Sequence, residues 1–423
     1  MIKKLIEFID EHKTAFGATS GIKKILEENG YELLDKKKIE KGKKYYITRN
    51  DSSIIAFNVG KKLNDPSLHI TASHTDCPSF KLKPNPIIVS DGVVKLNVEG
   101  YGGGLRRPWF DRPLSLAGRV IINSKSKVKS VEFKDEEPFC MIISVAPHLN
   151  REIEEKKPDL LIDMAPIVSL EKDYDFNNYL AKKLKVKKED ILGFDLYLYP
   201  IQKGFVWGNK DEFFTIGHID NLECAYTSLM GFINNFNDDN INVYASFDNE
   251  EVGSLTRQGA DSDFLSVVLD RICDDLKINE EELIKQGILL SCDNAHGLHP
   301  NHPELYDKNN APILNKGIVI KYNAAQSYTT DSLSAALFKK VLDLKKIPYQ
   351  YFANKTGSRG GGTLGNISNR HVSIISVDIG LAQWAMHSPV ETAGSKDVKY
   401  MIDGIKAFYK SHIKLNSDNT YSI

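Results

Sequence analysis

The stretch Ile241–Ser254, INVYASFDNEEVGS, decides how the chain is read. Its first seven residues, apolar or small and rich in strand formers, make the pattern of a strand buried on both faces. The run then breaks into Asp248, Asn249, Glu250 and Glu251. Strands buried on both faces belong to α/β folds, and there ligands bind in the crevice outside the strands' carboxyl ends. Adjacent carboxylates at such an end call for a bound cation, a proton to move, or both. If the backbone stays extended, Glu250 and Glu251 point to opposite faces, so that one can hold a metal while its neighbour acts as a general base.

Other runs of the same texture lie on either side. LHITAS, GILLSC, GIVIKY and VSIISVD read as buried strands, and KKYYITRN and SIIAFNVG as strands nearer the N-terminus. Residues 2–12 and 20–29 read as amphipathic helices. Apolar positions 222, 225, 226, 229, 230 and 233 keep helical spacing, and DSLSAALFKKVLDLKK reads as a helix capped by Thr330 or Asp331. Between about 80 and 212 the texture changes to hairpins: PIIVSDGVVKLNVEG, SLAGRVIINS, KVKSVEF and FCMIISVA, punctuated by GGG at 102–104. The expected architecture is therefore an α/β domain of residues 1–80 plus 212–423, interrupted by a β-rich insertion of residues 81–211.

Composition narrows the class. A net charge of −1 gives no global field for nucleic acid or an anionic membrane, so neither is an expected partner. The five cysteines, at 77, 140, 224, 273 and 292, form no CxxC pair and no disulfide framework. With no signal-peptide pattern and no apolar run of membrane length, the expectation is a cytoplasmic protein.

Polar residues just past strand ends then stand out: His74 and Asp76, Asp220, Glu250 and Glu251, Asp293, and His387. Singly, each has an ordinary reading as a helix cap, a turn former or a surface residue. Together they form a nitrogen-and-oxygen donor set without thiolate, which suits catalytic zinc, manganese or cobalt rather than a structural zinc site. Two metals ~3.5–4 Å apart need a bridging carboxylate, ligands of their own and a free carboxylate as base. GGGTLG at 360–365 also fits G-x-G-x-x-G, with Asp378 in the place of a ribose-binding acid, but ANKTGSR separates it from the preceding strand.

The stretches SHTDCPSFKLKP, YGGGLRRPWFDRPLSLAGRV, SVAPHLNREI, GHIDNLECAY, FDNEEVGS, SCDNAHGLHPNHPE, IKYNAAQSYTTDS and LAQWAMHS occur in that order along the chain. By them it closely resembles the M18 metallopeptidases, the aspartyl aminopeptidase family. The resemblance implies a catalytic α/β domain with a mixed central sheet and an inserted β-rich domain that builds dimers, which assemble into dodecamers. It implies two zinc ions per subunit, one held by His74 and Asp293 and the other by Glu251 and His387, with Asp220 bridging and Glu250 as general base. It also implies Asp76 orienting His74, His148 reaching into a neighbour's active site, and Lys321 meeting the acidic side chain of a substrate's first residue. Peptides with a free N-terminus are the implied substrates. Pro113 stands where the aspartyl branch carries an acidic residue. The competing readings are a dinuclear hydrolase of M42 or M20 type, a non-catalytic oligomeric scaffold, and a nicotinamide oxidoreductase built on GGGTLG.

Overall fold

The structure is a computed structural model that describes residues 1–423 except Glu154 and Arg359. Its centre is a nine-stranded mixed sheet. In spatial order the strands are Glu32–Leu33, Lys44–Arg49, Ser53–Val59, Asn240–Phe247, Ser67–His74, Gly287–Cys292, Ile375–Gly380, Ile318–Tyr322 and Tyr349–Ala353. Every residue of Ser53–Val59, Ser67–His74, Asn240–Phe247 and Gly287–Cys292 is buried, which explains why these runs are mostly apolar or small, without a solvent-facing polar alternation. Asn240–Phe247, Ser67–His74 and Gly287–Cys292 run parallel as neighbours, so their carboxyl ends open on one edge. The sheet is mixed because Asn240–Phe247 pairs antiparallel with Ser53–Val59, and Ile318–Tyr322 antiparallel with Ile375–Gly380.

Helices cover both faces. One core gathers helices Ile2–Glu11, Ala15–Glu28, Ile219–Phe232, Ser332–Leu344 and Asp397–Lys410 through Leu5, Ile22, Leu229, Phe338 and Phe408. The other face packs Phe264, Leu265, Val268 and Ile272 of helix Phe264–Leu276 on Phe57, Ile70 and Val243. Burying each such side chain contributes ~1.5–3 kcal/mol. The second N-terminal helix starts at Ala15, earlier than the expected residue 20, because Thr14 caps it by accepting from the Gly17 amide. Asp331 is the cap of Ser332–Leu344, in a capping box with Ser334. No described helix is long and apolar enough to cross a membrane.

The hairpin-textured region forms a separate antiparallel sheet of six strands. Their order is Lys127–Lys134, Leu114–Ser124, Ile191–Pro200, Ser79–Ser90, Val93–Tyr101 and Ile167–Ser169, around a core that includes Phe80, Trp109, Leu116 and Leu196. Two local expectations fail here. FCMIISVA makes only isolated bridges, at Cys140, Met141 and Ile142, instead of a strand. The region expected to consist of hairpins also holds a helix, Phe176–Leu184, whose buried apolar positions Phe176, Leu180 and Ala181 are too few to announce it.

A third sheet carries part of the site. It orders Phe205–Trp207, Phe213–Ile216, Glu391–Gly394, Ala382–Trp384 and Ala295–His296 beside the main sheet.

Candidate metal centre

Three of the singled-out segments end adjacent parallel strands. His74 is the last residue of Ser67–His74, Asp293 follows Gly287–Cys292, and Glu250 and Glu251 follow Asn240–Phe247. The other two do not hang from the main sheet. Asp220 lies at the start of helix Ile219–Phe232, after a strand of the five-stranded sheet, and His387 lies between two strands of that same sheet. The expectation of five ends on one open sheet is corrected to three ends facing two loops from a neighbouring sheet.

These side chains converge. Asp220 straddles the group: its Oδ1 is 3.6 Å from His74 Nε2 and its Oδ2 is 3.5 Å from His387 Nε2. On one side His74 Nε2 is 3.5 Å from Asp293 Oδ1, and on the other His387 Nε2 is 3.5 Å from Glu251 Oε1. His74, Asp220 and Asp293 form one group with ligand atoms within 4.8 Å of one another, and Asp220, Glu251 and His387 form a second. Glu250 sits at the rim with Oε2 4.0 Å from His74 Nε2, and its side chain is more exposed than that of Glu251, 17% against 4%. A third possible group, His74 with Glu250 and Glu251, includes it.

The two glutamates do not diverge because of an extended backbone. Asn249 and Gly253, at φ 64° and 97°, bracket a 3₁₀ turn over Glu250–Val252, and the turn sends one carboxylate toward each histidine. Asp76 holds that turn. Its Oδ1 accepts from the Glu250 amide and its Oδ2 from the Glu251 amide, each at 3.1 Å, and Oδ2 also accepts from Tyr101 Oη at 2.7 Å. The His74 Nδ1–H points at the Asp76 carbonyl, 3.0 Å away, which leaves Nε2 with a lone pair facing the cluster. Asp76 thus orients His74 through its backbone and the two glutamates through its carboxylate.

The hairpin region reaches into the site as well. His387 Nδ1 lies 3.3 Å from the Gly103 carbonyl, and the Leu105 amide donates to the His387 carbonyl at 2.9 Å. Gly102 has φ 73°, and a Cβ there would come within 3.1 Å of the Glu251 Cβ, so a side chain is disfavoured on both counts. Sequence reasoning took GGG as punctuation. The signal was its place just after Tyr101, whose hydroxyl also accepts from Asn249 Nδ2 at 2.8 Å. Glu223 was missed too. One turn into the Asp220 helix and fully buried, it accepts from Asn294 Nδ2 at 2.7 Å and so ties that helix to the Asp293 loop.

The electrostatics are those of a cation site. Burial, together with the charge of Asp293, pushes the Glu250 carboxyl up to about 7, and burial raises Glu251 well above the usual carboxylate range. Burial alone would lower the His74 imidazole, but Asp220, Asp293 and Asp76 outweigh it and raise it well above its ordinary value. His387 is likewise lifted to about 10, with Asp220 and Glu251 overcoming burial. The Asp220 Oδ1 and Glu251 Oε1 atoms are buried without a hydrogen-bond partner. Such atoms are costly unless a cation meets them. Separations near 3.5 Å also fit the edges of a tetrahedron with zinc–ligand bonds of ~2.0–2.1 Å. The residues present therefore fit two ions.

Two other site residues are placed differently. His148 lies on an exposed turn and belongs to none of the three ligand groups. Lys321 is 2% exposed, and its Nζ donates to the Asp293 carbonyl at 2.8 Å, to Asp293 Oδ2 at 3.2 Å and to the Asn294 carbonyl at 3.2 Å. All three of its hydrogens have acceptors, so Lys321 orients Asp293 in the first instance. The GGGTLG reading loses its parts. The helix after the glycines, Leu364–Ser368, has five residues, and Asp378 is fully buried with its carboxylate taken by the Thr329 amide and the Thr329 and Thr363 hydroxyls. Nothing of that carboxylate is left for a ribose, and Arg359 beside the glycines lies outside the described residues.

An α/β scaffold that gathers two imidazoles and four carboxylates in this way belongs to the class of metal-dependent hydrolases. Comparison with known proteins gives the family. The profile described as aminopeptidase I zinc metalloprotease (M18) matches residues 8–409. The probable M18 family aminopeptidase 2 of Clostridium novyi is 41% identical over 424 residues, spanning 96% of this chain and 98% of that protein. Its counterpart from Clostridium acetobutylicum is 40% identical, with 96% and 98% covered. Among solved structures, the cryo-EM structure of the Ape4 and Nbr1 complex superposes with a TM-score of 0.92 at 31% identity, covering 96% of this chain and 85% of that one. The S. cerevisiae mApe1 dodecamer gives 0.85 at 27% identity, with 96% of each chain covered. The chain belongs to the M18 family of metallo-aminopeptidases.

Proposed function

We propose that the protein removes the first residue from peptides with a free N-terminus, using two zinc ions. His74, Asp293 and Asp220 would hold one, and Glu251, His387 and Asp220 the other. The observation that carries this reading is Asp220, one oxygen toward each histidine, with a buried oxygen of its own left unpartnered. Bound zinc supplies Lewis acidity, which polarises the scissile carbonyl and makes water acidic enough to lose a proton near neutral pH. The chain's own residues do the rest. Glu250, at the rim of the cluster beside His74, takes a proton from the attacking water as the new C–O bond forms. It returns that proton to the leaving nitrogen as the C–N bond breaks, so that amino acid and shortened peptide leave with no net proton change at the glutamate. The experiment is release of the first residue from Asp-, Glu-, Leu- and Lys-led peptides by chelator-stripped protein with and without added zinc, manganese or cobalt. Metal-dependent release supports the reading, and release that is indifferent to metal overturns it.

Acidic first residues are the preference implied by the family resemblance. Lys321 serves such a residue by exchanging one of its acceptors on Asp293 or Asn294 for the substrate carboxylate. Lys321→Ala is therefore expected to lower kcat/KM on every peptide, by ~10–100-fold through the loosened Asp293, and further on Asp- and Glu-led peptides. Equal losses on leucyl and aspartyl peptides would confine Lys321 to positioning Asp293.

The insertion of residues 81–211, which carries most of the six-stranded sheet and whose Phe205–Trp207 segment joins the five-stranded sheet, is proposed as an oligomerisation domain. The connecting segment 143–165, which includes His148, exposes Val145, Leu149, Leu161 and Ile162, the last three at 83%, 78% and 78%. Large apolar side chains exposed to this degree suit an interface. The mApe1 relative is a dodecamer, and we propose a similar assembly of dimers here, with His148 supplied to a neighbour's centre. Leu161→Asp together with Ile162→Asp is expected to shift native mass spectra to the monomer and to reduce turnover with zinc retained. An unchanged assembly would move the interface elsewhere.

A further inference from the structure

Glu391 lies outside every ligand group, yet its carboxylate touches both loops of the five-stranded sheet that deliver ligands. It opens strand Glu391–Gly394, opposite Ile216, and is 2% exposed. Its Oε2 accepts from the Ile219 amide at 2.6 Å and from the Asp220 amide at 3.2 Å. Its Oε1 accepts from the His387 amide at 2.8 Å and from Gln383 Nε2 at 3.2 Å. Four N–H donors meet two oxygens, and three of those donors are backbone amides of the bridging residue, its neighbour and the second histidine.

The backbone beside each contact is held in an unfavourable region. His218, next to Ile219, and His387 both have φ 68°, where a side-chain-bearing residue costs ~1–2 kcal/mol. Such conformations persist only where the surroundings over-determine them. A buried carboxylate that accepts from the amides at both turns is a means of doing so. The chain before His218 has little freedom either, since a Cβ on Gly217 would come within 2.4 Å of the Pro389 carbonyl.

We infer that Glu391 is a positioning residue for the metal centre: one carboxylate fixes the Asp220 and His387 loops against each other and so sets the spacing of the Asp220–Glu251–His387 group. The inference rests on the two-zinc reading above. Glu391 does not touch substrate and moves no proton. Asp397 supplies an internal comparison. It is also fully buried and also accepts two backbone amides, Asn315 at 2.5 Å and Gly317 at 2.8 Å, but these carry no ligand.

The test is zinc affinity at equilibrium, read by competition with a chromophoric chelator on the full-length protein. Glu391→Gln keeps the shape but replaces one acceptor oxygen by an N–H₂ that faces donors. It is expected to weaken the more weakly held zinc by ~10–100-fold. Asp397→Asn is expected to lower the melting temperature but to leave zinc affinity within about twofold, as an independent site should. If Glu391→Gln does not fold, Glu391→Asp keeps the charge but is one methylene short of spanning both loops, and weaker zinc binding is again expected. Native affinity in a folded Glu391 variant, or equal losses in the Glu391 and Asp397 variants, would overturn the positioning role. A wild-type protein that takes up no zinc would instead overturn the two-zinc reading itself.

Discussion

Replacing Glu250 with glutamine is expected to lower kcat by ~10²–10⁴-fold, the contribution of a positioned acid–base group, while both zinc ions stay bound. The expectation follows from position. Glu250 is the rim carboxylate, 4.0 Å from His74 Nε2, whereas Glu251 lies 3.5 Å from His387 Nε2 and has a buried oxygen unpartnered. The variant keeps the shape and the turn held by Asp76, so what it removes is the capacity to take and return a proton. Zinc content and single-turnover rate, measured on the same sample, check it. Because His74, Glu250 and Glu251 also lie close enough to form a group, there is a definite contrary result. Loss of one zinc in Glu250→Gln, with zinc retained in Glu251→Gln, would exchange the two roles.

Asp220→Ala is expected to have the larger consequence for the metals. Asp220 is common to both principal groups, so on the two-ion proposal removing it would take a ligand from each ion and leave the His74 and His387 sides without the carboxylate that lies between them. Zinc bound after gel filtration should fall below one ion per chain, and kcat/KM should fall by ~10³-fold or more, as several kcal/mol of charge stabilisation disappear. His387→Ala is the comparison: it strips only one group, so the His74–Asp293 side should keep its ion. If Asp220→Ala and His387→Ala retain the same zinc, Asp220 does not bridge.

Much of this site could be read from residue order because His74, Glu250, Glu251 and Asp293 end or follow long strands buried on both faces. The strands ending at His74, Phe247 and Cys292 are buried throughout, so their mostly apolar runs announced both the strands and the polar residues at or just beyond their ends. Asp220 and His387 were found as residues but not as to which sheet bears them. The short strands of the five-stranded sheet, three to four residues in Phe213–Ile216 and Ala382–Trp384, carry too little periodicity to be separated from the main sheet. Apart from Glu223, the residues that were missed act on or through the backbone. Gly103 offers a carbonyl, Gly102 offers space and Glu391 grips amides, and Asp76, expected to orient His74, also grips the amides of the Glu250 turn; none of these contacts leaves a side-chain pattern along the chain. Lys321 shows the opposite difficulty. A lysine at a strand end ordinarily implies exposure, and only the fold reveals that its ammonium is buried against Asp293.

The most direct test of the two-ion account is the zinc content per folded chain, measured by native mass spectrometry on protein stripped by chelator and then reloaded with a small excess of zinc. The account predicts two ions on the wild-type chain and two on Glu250→Gln. A folded wild-type chain that takes up one ion or none would contradict it.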